Sequence, residues 1–566
     1  MSISHSLVFF LFVSSSFAAP EVKLGNSILT GSQVSSNVEF FGGIPYAEPP
    51  VGSLRLRPPV PQFTLDGSPF DATQFGSACL QPNMDSSSMS EDCLTINILR
   101  PAGVSENASL PVIFWTYGGG FMTGSARGQR GEQIVAQSLA RGTPVLYVSF
   151  NYRLGALGYP QGREAEDIGA LNLGLKDQLT ALQWIQQNIG AFGGDKKKVG
   201  SPGRQHLILG SLPNWQVTTM AGSAGSIMTS ILFLGNITGL ARAGIFQSGG
   251  AGSAGVFHAQ DHQKDWTNFV SNIPECASLA GTGQTFECVR SVTNSSLLLE
   301  AMTQAIADSG LGSSPFKPVI DGPEGLLPDL PSELIEQRKF VHIPIIFGDD
   351  LDQGTRFTPN TSLLALGWPV LEVAFISVNL PTSDDVSSLE LSTSVTKLLA
   401  MYPDNPAAGS PYGTGQDTFG KPPAYKKAAS IIGDMNWQSQ RRYTTNAFSN
   451  AGVNVWGYQF VQKQADISPA LGVPHGSSVT FIYDEQEDTS EDSQNLTRMM
   501  IDYWVSFATS LDPNDGLGMA RPNWLPHTSS EEVVMQFQIN NTTMVADDYR
   551  KEQMDFINSK PAVWHH

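Results

Sequence analysis

What most limits the folds open to this chain is the alternation of short apolar runs with longer amphipathic ones. "LPVIFWTY" (110–117) and "TPVLYVSF" (143–150) each end in turn residues and read as buried strands. Between them "GEQIVAQSLA" has helical spacing, and "LGLKDQLTALQWIQQNIGAF" (173–192) predicts a long amphipathic helix stopped by Gly193-Gly194. "VTTM" then leads into a glycine turn and the helix-like "SIMTSILFL", while "ARAGIFQSG" and "HIPIIFGDD" are again strand followed by turn. Strands separated by helices pair in parallel, so the pattern predicts an α/β chain with a mostly parallel, doubly wound sheet. Function in such sheets gathers at the carboxyl ends of the strands, where these glycine turns fall. No internal repeat or linker-like stretch divides the 566 residues.

Composition narrows the chemistry. An apolar fraction of 41% supplies a packed core, and a formal net charge of −19 argues against nucleic acid or anionic membranes as partners. Residues 1–18 have an apolar core, Leu7 to Val13, and then small residues, as in a cleaved signal peptide; no later run is long enough for a membrane anchor. The chain is therefore expected to be secreted. Its four cysteines sit in two close pairs, Cys79 with Cys93 and Cys276 with Cys288. An oxidising compartment favours disulfides over metal binding, with local pairing the simplest of three connectivities. Sequons for N-glycosylation occur at Asn107, Asn236, Asn294, Asn360, Asn495, Asn540 and Asn541. Nothing calls for a cofactor, and oligomeric state is not legible.

The turns carry the candidate chemistry. "GGGF" (118–121) follows the strand ending at Tyr117, and its glycines allow backbone N–H groups to face a cavity, as an oxyanion hole requires. Ser223, between Gly222 and Ala224-Gly225, lies on a strand-to-helix turn, the setting of a nucleophile elbow. In that arrangement the order along the chain is serine, acid, histidine. Of the later histidines only His475, in "GVPHGSS", lies in a glycine/proline loop at a suitable position. An acid is expected after the strand in "IPIIFGDDLDQGT" (343–355).

With these parts assembled, the chain resembles type-B carboxylesterases and lipases, the group that includes cholinesterases and fungal esterase/lipases. The resemblance runs through "FFGGIPYAEPPVGSLRLRPP" (40–59), "SEDCLTINILRP" (90–101), "FNYRLGALGY" (150–159), "NLGLKDQLTALQWIQQNIGAFGGD" (172–195), "GIFQSGG" (244–250), "GVPHGSS" (472–478) and "YWVSFATSLDPN" (503–514). It implies one α/β-hydrolase domain over 19–566 with large helical insertions. It further implies Ser223 as nucleophile, His475 as general base, and Gly119, Gly120 and Ala224 as oxyanion donors, each worth roughly 3–4 kcal/mol in the transition state. The family's disulfides correspond to Cys79–Cys93 and Cys276–Cys288.

Three departures qualify the resemblance. The family's elbow usually reads Gly-Glu-Ser-Ala-Gly; here it is Ala221-Gly222-Ser223-Ala224-Gly225, and loss of the glutamate disfavours a cationic choline-type substrate. The acid motif usually ends Asp-Glu-Gly-Thr, whereas Asp352-Gln353-Gly354-Thr355 puts Gln353 at the acid position. Replacing the acid by an amide in a serine protease costs about 10⁴ in turnover. Two alternatives stay open: Asp350 or Asp352 supplies the carboxylate, or a Gln353-based triad works slowly. Third, residues 199–216 interrupt a family-like "GGDKKKVTTMAGSAG"; the in-frame stretch reads as a retained short intron or as a surface insertion.

For substrate, the family's lipases carry a long lid in the first disulfide loop. Here "LQPNMDSSSMSED" between Cys79 and Cys93 is short and polar, which favours an esterase on soluble or dispersed esters over an interface-activated lipase. The competing class is an impaired or non-catalytic homologue.

Overall fold

The computed structural model describes residues 19–195, 217–309, 314–359, 364, 367–382 and 386–566. The expected signal peptide, the 199–216 stretch and the Asn360 sequon lie outside the described residues.

Among these residues the main sheet has eleven strands. In chain order, β1 (Glu21–Leu24), β2 (Ser27–Thr30), β3 (Ser32–Ser35), β4 (Val38–Pro45) and β5 (Phe70–Asp71) come first. Next are β6 (Thr95–Pro101), β7 (Val112–Thr116), β8 (Leu146–Phe150), β9 (Val217–Gly222) and β10 (Ala243–Gln247). The last are β11 (Ile345–Asp350), β12 (Val455–Phe460), β13 (Val533–Phe537) and β14 (Thr543–Ala546). β1, β2 and β5 make a small separate sheet, and the main order is β14-β13-β12-β11-β10-β9-β7-β8-β6-β4-β3.

From β8 through β13 every neighbouring pair is parallel, and the antiparallel pairs sit at the two ends. β7 to β10 are buried at every position. Their continuous apolar runs follow from helices covering both faces of a parallel sheet. The α-helix Leu173–Asn188 ends four residues short of the predicted 192, and a 3₁₀ turn, Ile189–Phe192, carries the chain to Gly193 at φ +91°. The helix Ala224–Phe233 is buried at every residue.

The order reverses between β7 and β9: the chain leaves β7 towards β8, and leaves β9 towards β10. Such a switch point opens a crevice at the carboxyl ends of the strands. Gly118–Gly120 follow β7 and Ser223 follows β9, so both turns face that crevice. Cys79–Cys93 and Cys276–Cys288 are the disulfides, the local pairing.

Candidate active site

The site begins with a strained turn. Ser223 has φ +54° and ψ −127°, a region that β-carbon residues occupy only when their surroundings hold them. Its N–H donates to Gln247 O at 2.9 Å, and its C=O accepts from Ile227 N at 3.0 Å, the first turn of the following helix. The helix crosses so close to β7 that a Cβ on Gly225 would lie 2.5 Å from Tyr117 O. Ala221 is fully buried within β9, so the alanine in place of the first glycine leaves the strand intact. At Gly222, where the family carries glutamate, a side chain would meet Trp115 and Val479.

The glycine loop lies against this turn. A Cβ on Gly118 would stand 2.7 Å from Ser223 Cβ, and Gly119 adopts φ +114° while its C=O accepts from Met122 and Thr123 N–H. The N–H groups of Gly119 and Gly120 have no acceptor among the described residues. They and Ala224 N–H, at the amino end of a helix, are the donors expected for an oxyanion hole.

His475 Nε2 lies 2.7 Å from Ser223 Oγ, and His475 Nδ1 lies 2.5 Å from Gln353 Oε1. Gln353 Nε2 in turn donates to Ser248 Oγ at 2.6 Å and to Asp349 Oδ1 at 3.5 Å. The amide oxygen faces the imidazole, an arrangement in which a proton on Nδ1 would leave the Nε2 lone pair to accept the serine hydroxyl.

Neither candidate carboxylate bonds to the ring. Asp350, the last residue of β11 and not a loop residue, accepts from Gly476 N at 2.7 Å and Ser478 N at 2.9 Å. Asp352 accepts from Ser410 Oγ, Tyr412 N and Val473 N at 2.7, 2.9 and 2.9 Å. The two carboxylates thus hold the backbone on both sides of His475.

Burial, with a smaller contribution from nearby Arg356, pushes His475 down to about 3. The ring is neutral across the ordinary pH range, as a base must be, but its protonated form has no carboxylate beside it. Two aromatic rings flank it: Trp437, centroid 4.4 Å away, and Phe357 at 5.0 Å. Ser248, Trp437 and Phe357 were not legible as site residues, since they reach Gln353 or His475 through tertiary packing, and Asp349, four residues before Gln353, was not singled out.

A serine on a strained turn at the switch point of a parallel sheet, with a histidine from a later loop on its hydroxyl, defines the α/β-hydrolase class. The chain belongs to the carboxylesterase family, whose profile matches residues 18–205 and 210–557. It is 31% identical to lipase 2 of Diutina rugosa, covering 96% of this chain and 97% of that one. It is 29% identical to secreted lipase 1 of Botryotinia fuckeliana, covering 95% and 89%. The crystal structure of Aspergillus niger EstA superposes with a TM-score of 0.78 at 24% identity, over 97% of this chain and 99% of that one. The protein is thus a carboxylic-ester hydrolase. Among the described residues no helix is long and apolar enough to cross a membrane.

Proposed function

We propose that this is a secreted serine esterase that works through an acyl-enzyme on a Ser223–His475–Gln353 line. The observation that carries the reading is the 2.7 Å contact of His475 Nε2 with Ser223 Oγ, with Nδ1 satisfied by Gln353. Ser223 Oγ attacks the ester carbonyl as His475 Nε2 takes its proton. The oxyanion accepts from Gly119, Gly120 and Ala224 N–H. Its collapse expels the alcohol, which takes the proton back from His475. Water, deprotonated by the same nitrogen, then attacks the acyl group and releases the acid. The signal-like residues 1–18 and the secreted relative support export.

The short disulfide loop supports an esterase preference. Gln81 Nε2 donates to Gly124 O at 2.8 Å and its Oε1 accepts from Gly124 N at 2.7 Å, beside the turn that closes on Gly119. At the other end both Glu91 oxygens accept from Arg55, from Nε at 2.6 Å and Nη2 at 2.8 Å. A loop tied at both ends is no swinging lid.

A fluorophosphonate probe tests the mechanism: it should label Ser223 in the parent, and label Ser223→Ala not at all. Full esterase activity in Ser223→Ala would overturn the reading. For the substrate class, the rate on tributyrin should saturate smoothly through its solubility limit; a sharp rise on emulsification would identify an interface-activated lipase instead.

A further inference from the structure

We infer that Asp349 is a positioning residue which sets the orientation of the Gln353 amide and, through it, the tautomer of His475. The inference rests on reading Ser223 and His475 as nucleophile and base. A carboxylate at position 353 would accept from both sides and have no wrong way round. An amide has one: turned over, it presents NH₂ to His475 Nδ1 and forces the proton onto Nε2, where it blocks transfer from Ser223. Something must choose between the two.

Two groups face the amide nitrogen. Ser248 Oγ lies at 2.6 Å and donates its own proton to Asp350 Oδ2 at 3.5 Å, so it too accepts from the amide, but a hydroxyl can turn round when its neighbour does and a carboxylate cannot. Asp349 Oδ1 lies at 3.5 Å, and an ionised carboxylate only accepts. Its other oxygen accepts from Arg441 Nε at 3.2 Å. Arg441 is fixed in turn, since its terminal nitrogens donate to both oxygens of Asp547 at 2.8 and 2.7 Å. All three charged groups are fully buried. Polarity therefore runs one way, from Asp349 accepting the Gln353 NH₂, to Gln353 Oε1 accepting Nδ1–H, to Nε2 accepting the serine hydroxyl. Asp349, near the end of β11, and Gln353, just past it, lie four residues apart on one short stretch. Ser248 is brought level with them because Gln247 pairs with Gly348.

Asp349→Asn should reverse the line rather than merely loosen it. Arg441 Nε would hold the new amide's oxygen, leaving its NH₂ towards Gln353, which turns its own oxygen to meet it. The test reads the protonated nitrogen of His475 by ¹⁵N NMR on histidine-labelled protein, with kcat and KM alongside. Burial pushes Asp349 up to about 7, with Arg441 lowering it and Asp350 and Asp547 raising it, so pH 8 keeps the carboxylate ionised. In the parent the proton should sit on Nδ1; in Asp349→Asn it should move to Nε2, with kcat down at least tenfold and KM nearly unchanged. In the Gln353→Glu background the same substitution should cost at least tenfold less, because a carboxylate at 353 accepts from the introduced amide and from His475 alike.

Nε2–H in the parent, which needs no variant, would overturn the inference. So would retained Nδ1–H and turnover in Asp349→Asn, or an equal loss in both backgrounds, which would mark Asp349 as a structural partner of Arg441. Failure of the catalytic reading is distinguishable, since it appears as unlabelled Ser223 in the parent whatever the tautomer.

Discussion

Gln353 does half of what an acid does. On the proposed mechanism it holds His475 in the tautomer that accepts the serine proton, but it brings no charge to the imidazolium that follows. The cost of about 10⁴ for an amide in a serine protease triad arises with the wrong tautomer. With Nδ1 protonated as proposed, the deficit here is the electrostatic part alone. The Trp437 ring, tilted by 36° with its centroid 4.4 Å away, should offset some of it, since an aromatic face within about 6 Å of a cation contributes about 0.5–2 kcal/mol. Gln353→Glu should therefore raise kcat by about 10- to 10³-fold, short of the full 10⁴. The same variant changes the titration of His475. In the parent, burial holds the ring near 3, so the ring itself should take up no proton between pH 5 and 8. A carboxylate beside Nδ1 favours the charged form and raises the pKa. The variant's ring should titrate inside that window, and its activity should fall as pH drops through the new value. An unchanged kcat and a silent ring in Gln353→Glu would show that the charge at 353 is irrelevant.

The element that carries His475 is a loop clamped by carboxylates. Asp350 takes Gly476 and Ser478 N–H, and Asp352 takes Val473 N–H, so the backbone is fixed within three residues on each side of the ring. In Asp350→Asn one of the two N–H groups must face an NH₂. Leaving a buried donor unsatisfied costs about 1–3 kcal/mol. Amide exchange of Gly476 and Ser478 should then speed up by about 10- to 100-fold, and turnover should fall; unchanged exchange would show that the clamp is not limiting. This clamp also marks where legibility ends. Apolar runs between glycine turns made the parallel core readable, and turn chemistry with chain order made Ser223 and His475 readable. Which of Asp350, Asp352 and Gln353 faces the ring depends on where β11 stops, and Asp350 is still strand. Ser248 and Asp349 carry no local signal, because they meet only through the register of β10 with β11.

For the molecule as a whole, two expectations concern what the chain carries beyond the site. If it is exported, glycans should map to Asn107 and Asn294, which are exposed, and not to Asn236, whose amide donates to Leu326 O at 2.9 Å. Peptide mapping that finds Asn236 occupied would contradict this. The second concerns 199–216, where the family match is also interrupted, at 206–209. The flanks of this stretch meet in the sheet. Leu110 N donates to Gly193 O and Leu110 O accepts from Asp195 N, so Gly194 is level with Leu110. Pro111 O accepts from Leu146 N on the β8 side, so Leu110, one residue earlier, faces the β9 side. Val217 pairs with Val112, two residues further along β7. Gly194 and Val217 therefore lie in one lane of the sheet, about 7 Å apart along it. Three extended residues can span about 10 Å, so a connection of three residues is enough to join them. The join is at the amino end of β9, while Ser223 is at its carboxyl end. Removing 199–216 should therefore leave Ser223 labelling and turnover within about twofold of the parent. The shorter connection should also stabilise the fold by about 1–2 kcal/mol through loop-closure entropy. Expression of the shortened chain, with probe labelling and a thermal midpoint, decides this: loss of folding or of labelling would make the stretch an integral part of the protein, and transcripts lacking its 54 nucleotides would identify it as an intron.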